Sequence, residues 1–175
     1  RIAVRIGQQA DLLRATLRGG ADARLAAELN RVNDLIQRDE HRAAYQRSRS
    51  AALAYPDSST ALFNLAKVAG FHYYRFSTQD FPAAIAEARA ANLRAHRLAP
   101  QAADYYVAEA YLIPRHDYVE RERLLLQAMR LGPNESNLAL LYAAQLYQVT
   151  GRTAEGTAMV ERAREGDAAA EIALV

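Results

Sequence analysis

Cysteine is absent from this chain of 175 residues. No disulfide can form and no thiolate can hold a metal. A chain without cysteine fits the bacterial cytoplasm and the periplasm equally, so the compartment stays open. Lysine is almost missing too: Lys67 is the one exception among 22 basic residues, the rest being arginine, a bias that fits a GC-rich bacterial gene. Charge of one sign is not in excess. Twenty acidic residues leave a net charge of +2. The signs alternate along the chain, as on solvated helix faces, instead of gathering in the basic stripe of a nucleic-acid binder. No nucleic-acid partner is expected. No apolar run reaches the roughly 18 residues of a membrane span, so none is expected in this segment. The chain opens at Arg1, without an initiating Met or a signal peptide, as expected of a domain taken from a larger protein.

The residues of a catalytic or metal centre are also missing. The four histidines are His41, His72, His96 and His116. None forms a spaced ligand pair such as H-E-x-x-H. His116 and Asp117 are neighbours on the chain, which keeps them off a common helix face. No glycine-rich phosphate loop follows a strand, and no strand pattern is evident. The expectation is no enzyme, no cofactor and no metal.

What is present is helix. Alanine supplies about a fifth of the chain, 51% of residues are hydrophobic, and the 8 glycines and 5 prolines fall mostly between periodic segments. Alanine is the best helix former and lets helices approach closely. Apolar periodicity predicts helices over about 2–18, 22–37, 40–55, 61–76, 80–98, 101–113, 117–131, 135–150 and 153–165, with a last short one over 167–175. Gly19-Gly20 breaks the first. Asp57-Ser58-Ser59-Thr60 is an N-cap cluster, and Pro82 is tolerated in a first turn. More than about two-thirds of the chain should be helical, with connections as short as antiparallel helix pairs require.

Three prolines close three similar helices: Ala-Tyr-Pro at Pro56, Leu-Ala-Pro at Pro100 and Leu-Gly-Pro at Pro133. The second spacing, 33 residues, is close to the roughly 34-residue period of a known helical repeat. The hairpin over 101–133 has Tyr105, Ala108, Asp117-Tyr118, Leu125, Ala128, Leu131 and Pro133 in the matching slots. It departs at Glu109 and Arg121, where Gly and Ala are expected. The next hairpin offers Leu140, Ala143-Ala144, Tyr147, Gly151, Gly156, Val160 and Ala163. Ala44, Ala51 and Pro56 match in the first, and Asp80-Phe81, Ala84 and Ala91 in the second. On these residues the chain resembles the tetratricopeptide repeat family over about 22–166. The resemblance implies an all-α solenoid of antiparallel hairpins, a right-handed superhelix in one domain over 1–175. Its parts would be an N-terminal helix (1–20), hairpins at 22–56, 58–100, 101–133 and 134–166, and the start of a capping helix at 167–175. Pro100 comes four residues late, so each helix of the second hairpin should be about one turn longer. Ala84, Ala128, Ala143 and Gly156 should lie buried at close helix contacts.

The resemblance also implies a concave groove lined by the first helix of each hairpin. Its lining would include Asn64, Lys67, Tyr73, Tyr106, Ala110, Leu138, Leu141, Gln145 and Gln148, with Leu140, Ala143, Ala144 and Tyr147 on the packing side. Only Asn64 and Lys67 could serve as the basic clamp with which some members hold a terminal carboxylate. The ten tyrosines are conspicuous. They either pack between repeats or present an apolar face and polar tip to a partner. The leading expectation is a scaffold that binds a peptide or partner protein. The alternative is a periplasmic scaffold attached to an outer-membrane export or phage-receptor protein, with polysaccharide as a possible ligand. An RNA-binding repeat would need a basic groove, and a regulatory domain of a larger protein is a further option.

Overall fold

The computed structural model describes residues 20–71, 81–114, 116–131, 143 and 145–172. Regular structure among them is entirely helical, without a strand. The helices are α1 (Gly20–Gln37), α2 (His41–Ala54), α3 (Ser59–Phe71), α4 (Phe81–Leu98), α5 (Ala103–Leu112), α6 (Tyr118–Leu131) and α7 (Thr153–Ile172). Residues 143 and 145–149 are helical as well. The chain divides into two compact units, Arg1–Leu98 and Ala99–Val175.

The helix starts follow local chemistry. Ser58 Oγ accepts the Ala61 N–H at 3.3 Å and caps α3. Asp117 Oδ1 accepts the Glu120 N–H at 3.3 Å and caps α6. Each side-chain oxygen satisfies one of the orphan donors of a first helical turn. Gly151 takes φ +81°, between residue 149 and the start of α7. A Cβ there would meet nothing within 4 Å, so the left-handed backbone, not crowding, asks for glycine.

One segmentation fails. The sequence reading ends a helix at 165 and starts another at 167, whereas α7 runs unbroken from Thr153 to Ile172. A single interior glycine, Gly166, costs only about 1 kcal/mol relative to alanine, and Ala168 to Ala170 favour continuation. The longer second hairpin is met only in part: α4 has 18 residues against 14 in α2 and in α6, one turn more, but α7 of the fourth hairpin has 20. The corresponding extension of α3, over 72–76, lies outside the described residues, as do the expected helix over 2–18 and Leu140 and Ala144.

In the first unit α1 packs on α2, α2 on α3, and α3 on α4. Two small apolar layers join the first three helices. One holds Leu25 of α1, Ala51 of α2 and Ala61 of α3, flanked by Leu29 and Tyr55. The other holds Val32, Ala44 and Val68, flanked by Leu35, Ile36 and Tyr45. In the second layer α2's alanine lies among larger side chains of both neighbours, whereas in the first α2 and α3 each contribute an alanine and α1 the bulk. α3 is buried almost all round. Between Ala61 and Gly70 only Asn64 and Lys67 are not fully covered.

In the second unit α5 packs on α6. Their core joins Val107, Ala110, Leu124, Leu125 and Ala128 to Ala143, Leu146 and Tyr147, with Tyr106, Tyr111 and Met159 against it. The four small residues singled out from the sequence are all buried: Ala84, Ala128, Ala143 and Gly156.

Candidate functional site

Two polar stripes stand out on otherwise apolar helices. On α3, Thr60, Asn64 and Lys67 fall at i, i+4 and i+7, which is one helix face. Thr60 is exposed and the other two are half-buried. Asn64 Oδ1 accepts the hydroxyl of Ser48, which is wholly buried on α2, at 2.6 Å. Asn64 is therefore turned toward α2 and held there, and its oxygen serves the helix contact. In the second unit Gln145 and Gln148 are exposed on the side away from the buried Ala143, Leu146 and Tyr147.

The other expected groove residues divide in two. Ala110, at 4% exposure, belongs to the core of the second unit, where its methyl group packs with Leu124, Leu125 and Ala128. Tyr106 is half-buried, leans on the same core, and meets Tyr105 edge to face with ring centroids 5.0 Å apart. Tyr73, Leu138 and Leu141 lie outside the described residues. Among the described tyrosines only Tyr118 is exposed. The rings of Tyr106, Tyr111 and Tyr147 are spent on packing.

Sequence reasoning missed two polar clusters whose members are far apart in the chain. In the first unit the Tyr45 hydroxyl donates to Glu87 Oε2 at 2.7 Å, and Arg49 Nε donates to Glu87 Oε1 at 2.7 Å. Burial, then the bond to Glu87, push the Tyr45 hydroxyl well above its ordinary range. In the second unit the Tyr147 hydroxyl donates to Glu122 Oε1 at 2.9 Å. Arg152 Nη1 donates to the same oxygen at 2.7 Å, and its guanidinium carbon lies 4.2 Å from the centroid of the Tyr147 ring. Burial and the Glu122 bond push the Tyr147 hydroxyl up to about 12. Both are structural clamps: a carboxylate that has already taken up a phenol and a guanidinium is poorly placed for proton transfer to a substrate. Among the described residues no group of three or more His, Asp or Glu could hold a metal ion, and no helix is long and apolar enough to cross a membrane.

The Tyr147 clamp has a measurable pH signature. A phenol whose folded pKa exceeds its unfolded value of about 10 contributes its full stability below pH 10. That contribution is lost as pH rises from about 10 toward 12, because the unfolded state releases its proton first. Urea unfolding at pH 9 and at pH 11.5, followed in the native chain and in Tyr147→Phe, should show the smaller alkaline loss in the Phe variant. Equal losses would mean that Tyr147 ionises as freely in the folded chain as in the unfolded one.

Compared with known proteins, the chain matches no family model, and no curated protein aligns with it.

Proposed function

We propose that this chain is a protein-interaction scaffold, not an enzyme. Its helices would stack as tetratricopeptide-like hairpins and offer a peptide or partner protein the polar stripes left on otherwise buried helices. The observation that carries this reading is the order of the two apolar layers in the first unit. From Leu25 to Val32 the numbers rise along α1, and from Ala61 to Val68 they rise along α3, but between the same layers they fall from Ala51 to Ala44 along α2. Alternating direction with small residues on the middle helix is how stacked hairpins build a continuous core. The Thr60–Asn64–Lys67 stripe supports the same reading, because it interrupts a helix that is otherwise buried, and Gln145 and Gln148 add exposed amides at helical spacing in the second unit.

Peptides selected from a random library against the whole chain provide the test. Lys67→Glu and the double variant Gln145→Ala/Gln148→Ala should each weaken the selected peptides at least about tenfold, the usual size of a contact at the centre of an interface. Melting temperatures should stay within a few degrees of the parent's. If every selected peptide binds both variants as tightly as the parent, these stripes are not the interaction surface.

A further inference from the structure

Sulfur is scarce in this chain and unevenly placed. There is no cysteine, and the two methionines are Met129 and Met159. Both fall in the second unit, and both pack against the core that holds Leu124, Leu125, Ala128 and Tyr147. Neither is sealed in: Met129 on α6 and Met159 on α7 are each half-buried. The two differ in what depends on them. α6 already brings Leu124, Leu125 and Ala128 into the core, so Met129 is one apolar group among several. α7 has less to offer. Over 153–162 the covered residues are Gly156, Met159 and Val160, and the rest are exposed. They fall at i, i+3 and i+4, which is one stripe. Gly156 brings no side chain, and among the described residues of α7 Met159 is the one packed against the core. A flexible thioether suits the space beside a glycine, because it takes the shape left to it. The Arg152–Glu122 pair, at 2.7 Å, holds the chain just ahead of α7, so Met159 governs the helix beyond that tether.

We propose that Met159 is an oxidation site whose sulfoxide unlatches α7 from the core of the second unit. The oxidant is a two-electron peroxide, hydrogen peroxide in the simplest case. A sulfur lone pair attacks one peroxide oxygen, and the S–O bond forms as the O–O bond breaks. The departing hydroxide takes up the proton of the transferred hydroxyl and leaves as water. Sulfur loses two electrons and the peroxide gains them. The chain has neither cysteine nor tryptophan to consume the oxidant first. Half-burial acts in both directions. It leaves the sulfur within reach of a small oxidant, and it sets the new S–O dipole against a mostly aliphatic core, where a polar group is costly. The first unit contains no sulfur, which confines the response to the second. Reductases return a methionine sulfoxide to the thioether, so the latch can close again.

Hydrogen peroxide treatment of the whole chain, followed by peptide mass mapping and limited trypsin digestion, tests the proposal. Met159 should gain one oxygen atom. Cleavage after Arg162, which is exposed on α7, should become about tenfold faster or more, since a helix must open locally before a protease cuts it. Cleavage after Arg97, exposed in the first unit, should keep its rate. Methionine sulfoxide reductase should restore slow cleavage at Arg162, a reversal that damage to any other residue type would not allow. Met159→Leu keeps the bulk without the sulfur and should be cut slowly before and after peroxide. Met129→Leu should respond as the parent does. Should Met159→Leu fail to fold, the reductase reversal and Met159→Gln carry the test: with an amide dipole in place of the sulfoxide, this variant should be cut as fast as the oxidised parent without any peroxide. The proposal is overturned if Met159 stays unoxidised at a peroxide dose that converts free methionine, or if the oxidised chain is cut at Arg162 no faster than the parent. It is also overturned if peroxide speeds cleavage of Met159→Leu as much as that of the parent, or if Met159→Gln is cut slowly.

Discussion

Replacing Tyr147 by Ala should destabilise the second unit by about 3–5 kcal/mol, the range for removing a large buried aromatic side chain. Tyr147 is 3% exposed and packs in a core with Val107, Leu124, Leu125, Ala128 and Leu146. Its truncation opens a cavity among side chains already in contact, and these can close it only in part. It also strips Glu122 of its phenol donor and Arg152 of the ring beneath it. Tyr147→Phe separates the two contributions. It keeps the ring and loses only the hydroxyl's bond, so about 1 kcal/mol is expected. Urea unfolding of the three proteins, followed by circular dichroism, checks the order. If Tyr147→Phe cost as much as Tyr147→Ala, the hydrogen bond and not the packing would be holding this end of the unit.

Ala44→Leu should cost the first unit about 1–3 kcal/mol, through overpacking. Ala44 is fully buried in one layer with Val32 of α1 and Val68 of α3. Three helices converge there on a methyl group, and a leucine must push at least one of them away. A compensating variant tests the geometry directly. Val68→Ala alone leaves a cavity and should destabilise, but in Ala44→Leu/Val68→Ala the added volume has somewhere to go. The double variant should be more stable than the sum of the single effects, by a coupling of about 0.5–3 kcal/mol. Simple additivity would show that residues 44 and 68 do not share a layer.

Much of the helical scaffold was legible before any coordinates. Alanine content and apolar periodicity specify helix because propensity and face-burial are properties of a single segment. Ser58 and Asp117 announce helix starts for the same local reason: a side chain caps its own first turn. Small residues at Ala84, Ala128, Ala143 and Gly156 were readable as close contacts, since a position without bulk on a buried stripe has little other use. Where a local signal was weak it misled. Gly166 looked like a break and is the interior of α7, because one glycine cannot outweigh the helix formers around it.

What one helix cannot encode is the identity of its neighbours. Periodicity says that Ala110 shares a face with Tyr106, but only the packing of α5 on α6 buries that methyl group among Leu124, Leu125 and Ala128. It says that Asn64 is polar at the edge of an apolar helix, but not that Ser48, sixteen residues earlier, turns it toward α2. Alternating charge along the chain looked neutral everywhere. Tertiary structure instead pairs charges far apart in the chain: Tyr45 and Arg49 meet Glu87, and Arg94 meets Asp57, 37 to 42 residues away. Secondary structure is decided by free energies that act within a few residues, whereas the composition of a surface is decided by which helices lie next to each other.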